Sequence, residues 1–136
     1  MELAQYAAEV LIAGDLVAFI ASRDLANSGE FYGSVLGLRL VDASDFARVY
    51  DANGTQLRVT LVDSKADAPY TVLGWRVDDI AQAVAQLRAA SVSFARYDGM
   101  DQDENDVWLA PSGALVAWFK DPDGNIVSLQ QEPAGE

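Results

Sequence analysis

Apolar and polar positions alternate along the chain with two different periods. In residues 2–13, ELAQYAAEVLIA, the residues Leu3, Tyr6, Ala7, Val10 and Leu11 recur at three- and four-residue spacing, one face of a helix. Gly14-Asp15 breaks that pattern, and LVAFIAS (16–22) is a short apolar run of the buried-strand kind. Asn27 and Ser28 are suited to N-cap a short helix over GEFYGSVLG (29–37), which Gly37 can end. Strands LRLVDA and FARVYD follow, then a turn at 51–54 and the strand TQLRVTLVD. After the polar stretch SKADAP (64–69) the order returns. TVLGWRV predicts a strand, Asp78-Asp79 a turn with an N-cap, and IAQAVAQLRAA a helix with Ile80, Val84 and Leu87 on one face. SVSFARY reads as a strand and DGMDQDEND (98–106) as a polar loop; strands VWLA, ALVAWFK and IVSLQQ complete the series.

The strand–helix–strands order therefore occurs twice, and each copy ends in a hairpin with an Asp-X-Asx-Gly turn: Asp51-Ala52-Asn53-Gly54 and Asp121-Pro122-Asp123-Gly124. A repeat on this scale sets the expected architecture. It is an α+β fold of two βαβββ repeats, a curled mixed sheet around a cup with helices on the outer face. The expected organisation is a helical extension at 1–14, a first module at 15–63 and a second at 70–131, together one domain.

Composition narrows the chemistry. The 136 residues include neither cysteine nor histidine, which removes disulfides, thiolate sites, the commonest general base and the commonest transition-metal ligand. Any metal would need oxygen donors. Twenty-one acidic against nine basic residues give a net charge of −12, which disfavours nucleic acid and anionic membranes and favours solubility or a cationic ligand. Glu9 and Asp15 interrupt the N-terminal apolar stretch and no basic residue precedes it, so neither a signal peptide nor a membrane span is expected. A cytoplasmic location follows as the default.

Three stretches carry a resemblance. FYGSVLGLRLV resembles the F-Y-x-x-x-L-G-L element of the vicinal oxygen chelate superfamily, the glyoxalase/bleomycin-resistance/dioxygenase group. WRVDDIAQAVAQLRAASVSF resembles its second βα unit, and WFKDPDGNIVSL its terminal hairpin. The resemblance spans about residues 15–130 and implies paired βαβββ units around a cavity, usually with dimerisation. Metal-dependent members hold a divalent ion through His, Gln and Glu. The corresponding positions here are Val17, Arg58, Val72 and Ser128, and their neighbours Leu16, Ala18, Thr71, Leu73, Val127 and Leu129 offer no replacement. The resemblance thus implies the fold without the metal site: no metal and no cofactor are expected.

Strand alternation assigns the cup lining. Gln56, Arg58 and Thr60 share a face; Phe19 goes with Val17, Arg76 with Val72 and Gly74, and Gln130 with Ser128. Phe119 is expected on the side of Ser128, with Tyr97 at the rim and Asp103 in the acidic loop beside it. The ligand-binding candidates are accordingly Phe19, Gln56, Arg58, Thr60, Arg76, Tyr97, Asp103, Phe119, Ser128 and Gln130. Trp75, Trp108 and Trp118 read as core or dimer interface before they read as stacking platforms. Arg58 and Arg76 suit a carboxylate or phosphate, or pair with neighbouring acids. The acidic loop lacks the glycine and closing glutamate of a calcium loop and reads as solvated. The expected function is metal-free binding of a small organic ligand by a homodimer, with no nucleic-acid or membrane partner. The alternative is a metal-free lyase or isomerase using Arg58, Tyr97 or Asp103.

Overall fold

A computed structural model describes residues 9–134. Of the helix expected over 2–13, residues 2–8 lie outside the described residues; residues 9–13 are helical and expose Val10, Leu11 and Ile12. No described helix is long and apolar enough to cross a membrane.

The first module comprises β1 (Val17–Ser22), α1 (Leu25–Gly29) continuing as a π-helical turn (Glu30–Val35), β2 (Arg39–Ala43), β3 (Ala47–Ala52) and β4 (Thr55–Leu61). The second comprises β5 (Thr71–Arg76), α2 (Ile80–Ala89), β6 (Trp108–Leu109), β7 (Leu115–Lys120) and β8 (Ile126–Gln131). Each forms a four-stranded mixed sheet, in the orders β1-β4-β3-β2 and β5-β8-β7-β6. In both, the first strand runs parallel to the last and the remaining pairs are antiparallel. The parallel pair is what a helical crossover permits; the antiparallel ones follow from short turns. The fold is the expected α+β pair of βαβββ repeats, and its two curled sheets are not closed into a barrel.

Acidic residues start both helices. Asp24, rather than Asn27 or Ser28, caps α1: its Oδ1 accepts from the N–H groups of Ala26 and Asn27 at 3.0 and 3.1 Å. Ser28 falls inside the helix, buried, and donates its hydroxyl to Asp24 O at 3.0 Å. Asp79 caps α2 as expected, accepting from Gln82 N at 3.1 Å. SVSFARY is not a strand: Phe94 makes a single bridge to Phe119, and β6 is only two residues long.

The two hairpins differ in construction. Between β3 and β4 the loop is Asn53-Gly54, with φ of +52° and +93°, the two-residue arrangement that Asn-Gly favours. Between β7 and β8 the loop is Asp121–Asn125. There Asp121 Oδ1 accepts from the N–H groups of Asp123 and Asn125, and Gly124 sits at φ +82°.

That second turn clasps the first module. Tyr32 donates its hydroxyl to Asp121 Oδ2 at 2.7 Å, Asn125 Nδ2 donates to Ala21 O at 2.9 Å, and Arg23 N donates to Asp123 Oδ1 at 2.8 Å. Buried polar groups thus find partners across the module boundary, as burial requires. The apolar cores join as well. One is built on Ile20, Leu25, Tyr32, Leu57 and Val59, the other on Ile80, Val84, Phe119, Val127 and Leu129. Phe31, Leu36, Leu73 and Trp75 pack against both. The helix-bearing sides of the modules therefore share one apolar interior. Each sheet keeps its other face open.

Candidate functional site

The open face of the first sheet is assigned by register. Val17 lies opposite Gln56, Phe19 opposite Arg58 and Ala21 opposite Thr60. Their neighbours Ala18, Ile20 and Ser22 turn toward the helix, and Leu57 and Val59 are buried with them. Phe19, Gln56, Arg58 and Thr60 thus lie together on one face. Phe19 is 65% exposed, a large apolar side chain left in water. Thr60 Oγ1 is buried without a partner.

The second sheet's open face carries Gly74 opposite Ser128 and Arg76 opposite Gln130. From β7, Val116, Trp118 and Lys120 lie opposite Gln130, Ser128 and Ile126. A methyl group on Gly74 would come 2.7 Å from Ser128 Oγ, so the glycine leaves room for that hydroxyl. Phe119 is not in this lining. It lies opposite Val127 and is buried in the core against Phe31 and Phe94. The reason is loop length: the Asp121–Asn125 loop places Lys120 opposite Ile126, and alternation then sends Phe119 to the helix side.

Aromatic rings gather on this second face. Trp118 and Trp108 are 6.1 Å apart between centroids with planes tilted by 34°, and Tyr97 meets Trp118 edge-on at 5.4 Å. Trp118 Nε1 donates to Thr71 Oγ1 at 3.2 Å. All three rings are half-buried. Trp75 alone follows the expectation of a core tryptophan, packing against both apolar clusters. The sequence carries a signal for two of the three, since Trp108 and Trp118 sit on paired strands, but it becomes legible only with the register in hand.

The loop after Tyr97 is more organised than a solvated acidic run. Gln102 is buried: its Oε1 accepts from Tyr97 N at 2.8 Å, and its Nε2 donates to Ala95 O and Asp106 O at 2.9 Å. Asp106 is also buried and pairs with both Arg88 and Arg96. Asp103 Oδ1 accepts from the N–H groups of Asn105 and Val107 at 2.8 and 3.0 Å, which gives Asp103 a part in shaping the loop. Gln102 and Asp106 hold the segment behind Tyr97 in place.

Among the described residues neither Arg58 nor Arg76 pairs with an acid, although the chain has 21 of them. The paired cations are elsewhere: Arg39 with Asp51, Lys65 with Asp67, and the two at Asp106. On the open faces the positive charges of Arg58 and Arg76 are therefore available to an anionic group.

The family's divalent metal does not fit these residues. Val17 and Val72 have no donor atom, Arg58 is a cation and Ser128 is a neutral hydroxyl beside Gly74. Among the described residues no three acidic side chains gather to hold an ion.

Comparison with known proteins places this geometry. A bleomycin resistance determinant encoded on the transposon Tn5 superposes with a TM-score of 0.70 at 19% identity, over 90% of this chain and 100% of that one. A glyoxalase/bleomycin resistance protein/dioxygenase from Alicyclobacillus acidocaldarius gives 0.69 at 18%, over 88% and 92%. A glyoxalase-related enzyme from Fulvimarina pelagi gives 0.66 at 23%, over 90% and 93%. At such identities the likeness establishes the fold alone. No curated protein matches the chain. Residues 14–129 match the family model of the Glyoxalase/Bleomycin resistance protein/Dioxygenase superfamily, and the chain belongs to that superfamily.

Proposed function

We propose that this chain is a metal-free small-molecule-binding protein of the glyoxalase/bleomycin-resistance type, working as a homodimer that sequesters an organic ligand. The observation that carries this reading is the pair of open faces. Where metal-dependent relatives need donor side chains, Val17, Val72, Ser128 and Arg58 stand. The Tyr97–Trp108–Trp118 cluster lies beside Ser128, and the guanidinium groups of Arg58 and Arg76 have no acid partner among the described residues. Half-buried rings with a few polar groups suit a flat organic molecule: rings supply apolar area, and arginine orients a polar end. The family neighbour that is a bleomycin resistance determinant is consistent with sequestration as the mode of action. The open faces also expose Val17, Phe19 and Val72, which a second copy would cover. An enzymatic reading has less support, because one oxygen of Asp103, the acid among its candidates, already holds the loop.

Native mass spectrometry of freshly purified protein tests the proposal. The expected spectrum is a dimer without a stoichiometric divalent ion. Any co-purified ligand should be lost in the Trp118→Ala variant but kept by the chain treated with a chelator. One divalent ion per chain overturns the metal-free reading.

A further inference from the structure

A second cleft, which meets the open face of the second sheet only at Lys120 and Ile126, lies where the end of β1, the stretch between β4 and β5, and the Asp121–Asn125 turn meet. It encloses about 470 Å³, and its polar wall is Arg23, Asp67, Lys120 and Asp123. Both lysines of the chain are here. Lys65 lies beneath the cleft with its side chain only 6% exposed; its Nζ donates to Asp67 Oδ1 at 3.0 Å and to Asp123 O at 3.2 Å. Arg23 and Lys120 stand over the same cleft, and among the described residues neither forms a salt bridge. With Asp67 and Asp123 set against Arg23, Lys65 and Lys120, the cleft escapes the acidic excess of a chain of net charge −12.

One of the chain's own carboxylates already occupies it. Asp67 is 83% exposed, yet its Oδ1 rests on Lys65 and lies 3.9 Å from where a methyl group on Gly124 would be. The hydrogen bond and charge of Lys65, with Arg23 and Lys120 nearby, hold the Asp67 carboxyl below the usual aspartate range. The cleft therefore favours a carboxylate. It also contains an unmet demand of the opposite kind. Asp123 is 8% exposed; its Oδ1 accepts from Arg23 N, but its Oδ2 is buried without any partner. A buried carboxylate oxygen in that state calls for a donor.

We propose that this cleft is a second binding site, for a small carboxylate that carries a neighbouring hydroxyl or ammonium donor, and that Asp67 fills its anion position in the present conformation. The ligand's carboxylate replaces that of Asp67 beside Lys65, Arg23 and Lys120. Its donor reaches Asp123 Oδ2, sealed from water in the present conformation, once the departure of Asp67 opens the cleft. The displaced Asp67 is on an exposed stretch and moves into water at little cost.

The test is a titration of the full chain with L-lactate, with acetate as the comparator lacking the donor, followed through the backbone amide signals of Arg23 and Gly124. Wild-type protein should show a saturable shift with lactate and a weaker one with acetate. Because Asp67 competes with the ligand for Lys65, Asp67→Ala should tighten lactate binding by about fivefold. Asp67→Ser serves the same purpose if the alanine variant folds poorly. Adding Arg23→Gln and Lys120→Gln to the Asp67 variant should abolish the shift while the rest of the spectrum stays native. Absence of a saturable lactate shift in the Asp67 variants overturns the proposal, as does lactate binding indifferent to Arg23 and Lys120. Equal affinity for lactate and acetate overturns the role of Asp123. None of these outcomes depends on ligand binding at the open faces, so failure here and failure of the function proposed above are distinguishable.

Discussion

Tyr32 is wholly buried, and its hydroxyl donates to a carboxylate, Asp121, that belongs to the other module. Burial first, and then the negative charge of Asp121, push the Tyr32 pKa well above its ordinary value of 10.0. A raised folded-state pKa means that the unfolded chain releases this proton first. The stabilisation is therefore complete below pH 10 and is lost as pH rises from there toward the folded-state value. The expected outcome is a steep alkaline fall in unfolding free energy, approaching 1.4 kcal/mol per pH unit for this one group. In Tyr32→Phe that slope should shrink, with a loss of about 1 kcal/mol at neutral pH from the missing hydrogen bond. Urea unfolding between pH 8 and 11 measures both; an unchanged slope counts against the clasp. Nothing in the sequence paired Tyr32 with Asp121, which are 89 positions apart. Phe119 was misplaced for a related reason. Strand period alone gives which residues share a face within one strand, but the face of the partner strand depends on loop length, and a one-residue difference reverses it.

At the level of elements, the helix starts rest on single carboxylates whose worth is measurable. Replacing Asp79 by alanine removes the acceptor for Gln82 N and should cost about 1 kcal/mol. Replacing Asp24 removes the acceptor for two N–H groups, and α1 leads into the π-helical turn that carries Tyr32. Its loss should therefore be the larger of the two, toward about 2 kcal/mol. Denaturant midpoints should fall with unchanged slopes, and equal losses would show that the clasp does not depend on how α1 begins. The repeat, the two helices and all eight strands were readable because apolar period and turn residues agree at each of them. SVSFARY was the exception. Its composition suits a strand, yet Phe94 is drawn into the core against Phe119 and Arg96 into the Asp106 pair, leaving one bridge where a ladder was expected. Tertiary contacts overrode local preference there.

For the whole molecule, the distribution of exposed apolar side chains and of charge makes opposite demands on association. Leu16, Val17, Phe19, Val41, Val72 and Leu109 leave apolar surface on and around the open faces, the surface a second copy would remove from water. The net charge of −12 on each chain repels that copy. Salt screens the repulsion and leaves apolar burial intact, with a screening length of about 10 Å at 0.1 M. Self-association should therefore tighten as sodium chloride rises, the reverse of a contact held by opposite charges. Phe19→Asp adds a charge at a 65%-exposed position, so it should leave the fold intact and shift the proposed dimer toward monomer. Phe19→Leu should keep the dimer. Sedimentation velocity at low and high salt reads both effects. A dimer that weakens with salt, or one indifferent to Phe19→Asp, would place the contact between copies away from this face. The cup would then have to be completed within one chain.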